Sequence, residues 1–213
     1  MRPLTLGEEI ANSIAHGIGA ALGIAGLVAM VVAARHRPAW QIAACAVYGA
    51  SLVLLYVCST IYHALTNKRA KRVFKILDHS TIYLLIAGTY TPVTLIALRG
   101  PWGWALFGVV WGLCVCGIVF KSLWIGRLKV ASTVVYVLMG WCAVLAIRPL
   151  LAVLPWTGFL WLLAGGLCYT AGVAFYVSSG RFAHFIWHIF VMAGSFCQYW
   201  AVFRYIVRAP DIN

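Results

Sequence analysis

The chain has 213 residues, 64% of them hydrophobic and 9% charged, with a net charge of +12. Soluble domains carry about 25% charged residues, so the composition excludes an ordinary soluble globule and fits a chain that crosses a membrane repeatedly. The basic surplus does not indicate nucleic acid, because the Lys and Arg residues fall in the gaps between long apolar runs, where they act as membrane-surface and topology charges.

A helix needs about 20 mostly apolar residues to cross a bilayer. Runs of that kind lie at 13–34, 41–64, 76–98, 102–121, 129–147, 156–178 and 184–207. The first follows the leader MRPLTLGEEI, which carries Glu8 and Glu9. Two acids, a long apolar stretch and six further runs argue against a cleaved signal peptide. Gly19 and Gly23 form a GxxxG pair in this run, a pattern that allows close helix approach. The third run contains GTYTP, where Tyr90 and Pro92 are expected to shape a kink. The seven cysteines lie inside the apolar runs with no CxxC spacing, so they read as small packing residues. The gaps are short, and no repeat or low-complexity tract appears. The expectation is an all-α, polytopic membrane protein, a single seven-transmembrane helix bundle over residues 1–213.

Seven crossings put the termini on opposite sides of the membrane. On the N-terminal side lie Arg2, Lys68, Arg69, Lys71, Arg72, Lys75, Lys121, Arg127, Lys129 and Arg181. The other side holds Arg35, Arg37, Arg99, Arg148, Arg204 and Arg208. The positive-inside rule then makes the N-terminus cytoplasmic and the C-terminus external. The chemistry-bearing residues converge on that inner side. Span two ends in STIYH with Ser59 and His63, span three begins with Asp78 and His79, and span seven begins with His184 and His188. Span one opens EEIANSIAH, which puts Glu9, Ser13 and His16 at a similar depth; of the acids and histidines, His36 and Asp211 fall elsewhere.

Ionisable groups in a span are costly and mark a site facing the bundle interior. Residues four apart share a helix face, so His184 and His188 point one way, as ligands of one metal must. Zinc accepts imidazole nitrogens at about 2.0–2.1 Å, and catalytic sites use three protein ligands and keep one open position. His63, His184 and His188 supply such a set. Asp78 is placed to take a proton from water or to orient a histidine, and Ser59 to hold a substrate carbonyl or its oxyanion. The histidines acting as a metal-free proton relay is the alternative. Asp78 is expected to be the acid that begins a span beside the histidines, with Glu8 and Glu9 in the leader. His79 points away from Asp78's face and is expected to pack or sit at the interface.

The segments EEIANSIAHGIGA, STIYH, DHSTIYLLIAGTYTP and HFIWH, in this order on seven spans, resemble the bacterial hemolysin III family, the prokaryotic branch of the progestin and adiponectin receptor group. That group lies in a superfamily that includes alkaline ceramidases. The resemblance implies a seven-helix fold with a cytoplasmic N-terminus and Zn2+ near the cytoplasmic face. It carries the ligand set to His63, His184 and His188, the acid to Asp78 and the motif serine to Ser59. It also implies the bacterial cytoplasmic (inner) membrane, and a membrane lipid or free fatty acid in the bundle as partner. Fold does not fix function. The first expectation is a zinc-dependent hydrolase of lipid amide or ester bonds, serving membrane lipid or fluidity homeostasis. The second is a non-enzymatic sensor with a structural zinc, and the third a pore-forming haemolysin. A pore needs a polar lining, and the outer parts of these spans carry almost no charge.

Overall fold

The computed structural model describes residues 3–124 and 129–209, apart from the Lys129 side chain. Arg2, Arg127 and Asp211, used above, lie outside the described residues. Seven helices are long and apolar enough to cross a membrane, and the described residues form no strand. The spans are Leu6–Ala33, Ala39–Ala64, Lys68–Leu98, Gly100–Leu123, Val130–Val153, Trp156–Val177 and Ala183–Val207.

Two starts differ from the apolar runs. The first helix begins at Leu6 because Thr5 caps it: its hydroxyl accepts the Glu8 N–H, and the Glu8 carboxylate accepts the Thr5 N–H at 2.9 Å. This reciprocal capping box satisfies two of the free N–H groups at the helix start. Glu8 and Glu9 are therefore in the first turn of span one rather than in a leader before it. The third helix begins at Lys68, where the Asn67 side chain accepts the N–H groups of Arg69 and Ala70 at 3.0 and 3.1 Å. Hydropathy does not register this start, because a basic turn projecting from the bilayer is helical without being apolar.

Span one shows how the bundle is oriented. Ile10, Ile14 and Ile18, four residues apart, are all at least half exposed, whereas Glu8, Asn12, His16, Gly19 and Gly23 are buried. The apolar stripe faces outward, where lipid rather than water is the solvent, and the polar and small residues face neighbouring helices. The GxxxG pair serves that contact. A Cβ on Gly19 would sit 2.8 Å from Tyr56 Cδ1 of span two, so only glycine lets the helices approach this closely.

Span one packs on spans two and seven, two on three, three on four and five, and six on seven. One core, around Met30, Cys45, Tyr48, Leu52 and Val202, joins spans one, two and seven and takes in Leu85 and Val93 of span three and Leu150 of span five; another, around Tyr83, Val110 and Met139, joins spans three to five. Two spans depart from α geometry. After Pro92, Val93–Leu98 widens into a π-helix, which locates the expected irregularity in span three. In span five, Trp141–Ala146 tightens into 3₁₀ geometry just before Ile147–Val153, whose Pro149 has no N–H to offer the Leu145 carbonyl. The Tyr90 hydroxyl pins that break, donating to the Gly140 carbonyl at 2.7 Å and accepting the Ala143 N–H at 2.8 Å. All seven cysteines are free.

Candidate metal centre

Two helices deliver the three histidines. His63 is next to the last residue of span two, and His184 and His188 occupy the first two turns of span seven. Their ligand nitrogens all lie within 4.8 Å of one another, and His63 and His188 are buried. The ring centroids of His184 and His188 are 4.7 Å apart, and His63 lies 5.2 and 5.0 Å from them.

The first span sets the chemistry of His63. Glu9 Oε2 accepts the His63 Nδ1–H at 2.6 Å, which fixes the tautomer and leaves Nε2 with a free lone pair. That Nε2, and Nδ1 of His188, are buried and have no hydrogen-bond partner among the described residues. Buried nitrogens of this kind each cost about 1–3 kcal/mol if left unmade, and a metal ion removes the deficit. Lys71 Nζ donates to the other Glu9 oxygen at 2.7 Å, so Lys71, Glu9 and His63 form a chain across spans three, one and two. A carboxylate on the far nitrogen of a ligating histidine orients the ring and raises its basicity. The donor set fits a metal ion, and His63, His184 and His188 are the residues that can hold one.

Sequence reasoning gave the orienting role to Asp78 and set Glu9 aside as a flanking residue; the contact with His63 belongs to Glu9. The signal was present in the chain: Thr5-x-x-Glu8 is a capping-box pattern that starts the helix early enough to turn Glu9 inward. Asp78 does not join the three-histidine group, but it lines the same cavity as Ser59, His184 and His188. Its Oδ2 lies 3.5 Å from Nδ1 of His79. His79 donates that Nδ1–H to the Lys75 carbonyl at 2.8 Å, and its own carbonyl accepts the Tyr136 hydroxyl. Ser59 is buried, and its hydroxyl is without a partner among the described residues. His16, left unassigned by its sequence context, is buried and stacks on His188 with ring centroids 3.6 Å apart.

Two cavities meet at this centre. One, of about 220 Å³, runs between the helices along apolar groups such as Leu85, Ile86, Val144, Leu162 and Val191. The other, of about 490 Å³, opens at the helix ends beside Leu4, Glu9, His63, Lys75 and Ser178. His79, Tyr176 and His184 line both. The centre therefore lies where an apolar chamber gives onto a polar vestibule.

The fold and the cluster define a multi-pass helical membrane protein with a buried three-histidine centre able to hold a metal ion. A family model described as "Haemolysin-III related" matches residues 4–199, and the chain belongs to that family. It is similar to "Hemolysin-3" of Bacillus cereus, 46% identical over 202 residues, covering 94% of this chain and 92% of that protein. It is also similar to the "Hemolysin-3 homolog" of Bacillus subtilis (strain 168), 45% identical over 211 residues and covering 98% and 99% of the two chains. A more distant relative is the human "Monocyte to macrophage differentiation factor", 29% identical over 178 residues, or 80% of this chain and 74% of that one. This match agrees with the placement beside the progestin and adiponectin receptor group. No solved structure gives a significant match.

Proposed function

We propose that the protein is a zinc-dependent hydrolase of lipid amide or ester bonds, working in the bacterial cytoplasmic membrane with its centre on the cytoplasmic side. The observation that carries this is the meeting of an apolar chamber and a polar vestibule at the three histidines, with Asp78 and Ser59 in the chamber wall. His63, His184 and His188 would hold the zinc. When bound, zinc polarises a carbonyl and brings the pKa of a coordinated water to about 7.

The chain's own groups divide the remaining work. The apolar chamber takes the acyl chain and excludes water from around it. The Ser59 hydroxyl, with no hydrogen-bond partner to release among the described residues, donates to the substrate carbonyl oxygen. The Asp78 carboxylate takes the proton of the attacking water and returns it to the leaving group. The vestibule lets the polar product leave toward water while the fatty acid stays in the bundle.

The test is lipid profiling of membranes incubated with purified protein, with metal content measured alongside. Wild-type protein should carry about one zinc per chain and deplete one acyl-lipid class. Asp78→Asn should keep its zinc while turnover falls by about 10²-fold or more. Loss of metal with Asp78 would make the residue a ligand and favour a structural zinc in a sensor. Unchanged lipids with fully loaded wild-type protein would overturn the hydrolase assignment.

A further inference from the structure

Glu8, Asn12 and His16 form a buried stripe on span one, four residues apart. Glu8 is engaged: Oε1 accepts the Phe182 N–H at 2.7 Å, and Oε2 accepts both the N–H and the hydroxyl of Thr5. His16 and Asn12 are not. Neither ring nitrogen of His16 and neither amide atom of Asn12 has a hydrogen-bond partner among the described residues. A membrane interior offers no bulk water to compensate such groups.

The three-histidine cluster does not account for His16. Its ring lies nearly parallel to His188, 12° between planes, and its edge meets Tyr56 with centroids 5.0 Å apart. The donor and acceptor directions of an imidazole lie in the ring plane, so His16 covers the face of His188 and directs its nitrogens past that ring. His16 lines the apolar chamber, as does Ser59, one helical turn beyond Tyr56. The chamber wall thus carries a hydroxyl and an imidazole, each buried and without a hydrogen-bond partner among the described residues.

We propose that His16 recognises a neutral hydrogen-bonding group, a hydroxyl or an amide N–H, on the acyl lipid immediately beside its carbonyl. The proposal deepens the hydrolase assignment and rests on it for the position of the carbonyl at Ser59. A neutral group fits because an ionised one would need a counter-charge in this apolar wall: the span-one acids Glu8 and Glu9 are already engaged, and Asp78, the carboxylate in the wall, is assigned to the attacking water. Imidazole suits either partner, since a neutral ring offers one donor and one acceptor. His16 is a specificity residue in this scheme, and zinc binding does not depend on its nitrogens.

The experiment titrates purified, zinc-loaded full-length protein in detergent with 2-hydroxydodecanamide and with dodecanamide, which differ by one hydroxyl beside the carbonyl. Binding is read from quenching of tryptophan fluorescence, since Trp141 and Trp187 line the chamber. Wild type should bind the hydroxylated amide about tenfold more tightly, the worth of one well-made hydrogen bond. His16→Phe keeps the stack on His188 and removes both nitrogens, so it should bind the two amides alike with zinc unchanged. His16→Gln should recover part of the preference. Equal binding of the two amides by wild type would overturn the proposal and needs no variant to fold. So would a preference that survives in His16→Phe, or zinc loss in that variant. Preference without lipid hydrolysis would reject the hydrolase assignment and leave His16 as a binding residue; hydrolysis without preference would do the reverse.

Discussion

At the scale of single residues, Lys71 and Glu9 have the most specific consequence. Lys71 touches none of the three histidines, yet its ammonium holds the carboxylate that holds His63. Groups in that position typically contribute 10- to 100-fold to metal affinity. Glu9→Gln and Lys71→Met are each expected to weaken zinc binding within that range, read by competition with a chelator of known affinity. His184→Ala with His188→Ala should abolish it, because one histidine is left; full occupancy in that double variant would place the metal elsewhere. The histidines were legible in the sequence because imidazoles are expensive in a span and the HxxxH spacing puts two on one face. Glu9 was not, since an acid next to a long apolar run reads equally well as a solvated flank. Its role depends on the helix starting at Leu6, and on the His63 partner 54 positions later in the chain.

At the scale of helices, the 3₁₀ break in span five is held by Tyr90, whose hydroxyl is bonded on both sides of Trp141. Tyr90→Phe removes both bonds and leaves the Gly140 carbonyl and the Ala143 N–H short of a partner. A cost of about 1–3 kcal/mol is expected, seen as a lower melting temperature. Cys142, inside the break and partly buried, should then react faster with a membrane-permeant thiol reagent. An unchanged labelling rate would mean that the break is set by span five itself. The spans were legible from apolar length alone, and Pro92 marked the irregularity in span three. The break in span five was hidden, because WCAVLA contains neither glycine nor proline. Its cause lies downstream at Pro149 and across the bundle at Tyr90. Helix starts were hidden for a different reason: hydropathy reports how much of a helix lies in lipid, whereas capping by Thr5 and Asn67 decides where the helix begins.

At the scale of the whole molecule, the sidedness of the bundle is expected to follow from charge. Lys68, Arg69, Lys71, Arg72 and Lys75 occupy the first two turns of span three, on the same end of the bundle as the vestibule. Reporter fusions after residue 70 and at the C-terminus should give opposite sidedness, with the C-terminal one external. A cytoplasmic C-terminal reporter would move the histidine centre to the outer face. The way span seven is fastened has a further consequence for biosynthesis. Glu8 of span one accepts the N–H of Phe182 at one end of that helix, and Arg37, just after span one, donates to the carbonyls of Val207 and Ala209 at the other. Among the spans, the first to emerge from the ribosome therefore clamps the seventh, and until the seventh arrives His63 lacks both of its partner imidazoles. A metal held by all three histidines would then have to wait for the seventh span. A nascent chain stalled after span six would lack both the N–H that Glu8 accepts from Phe182 and the His188 ring on which His16 stacks.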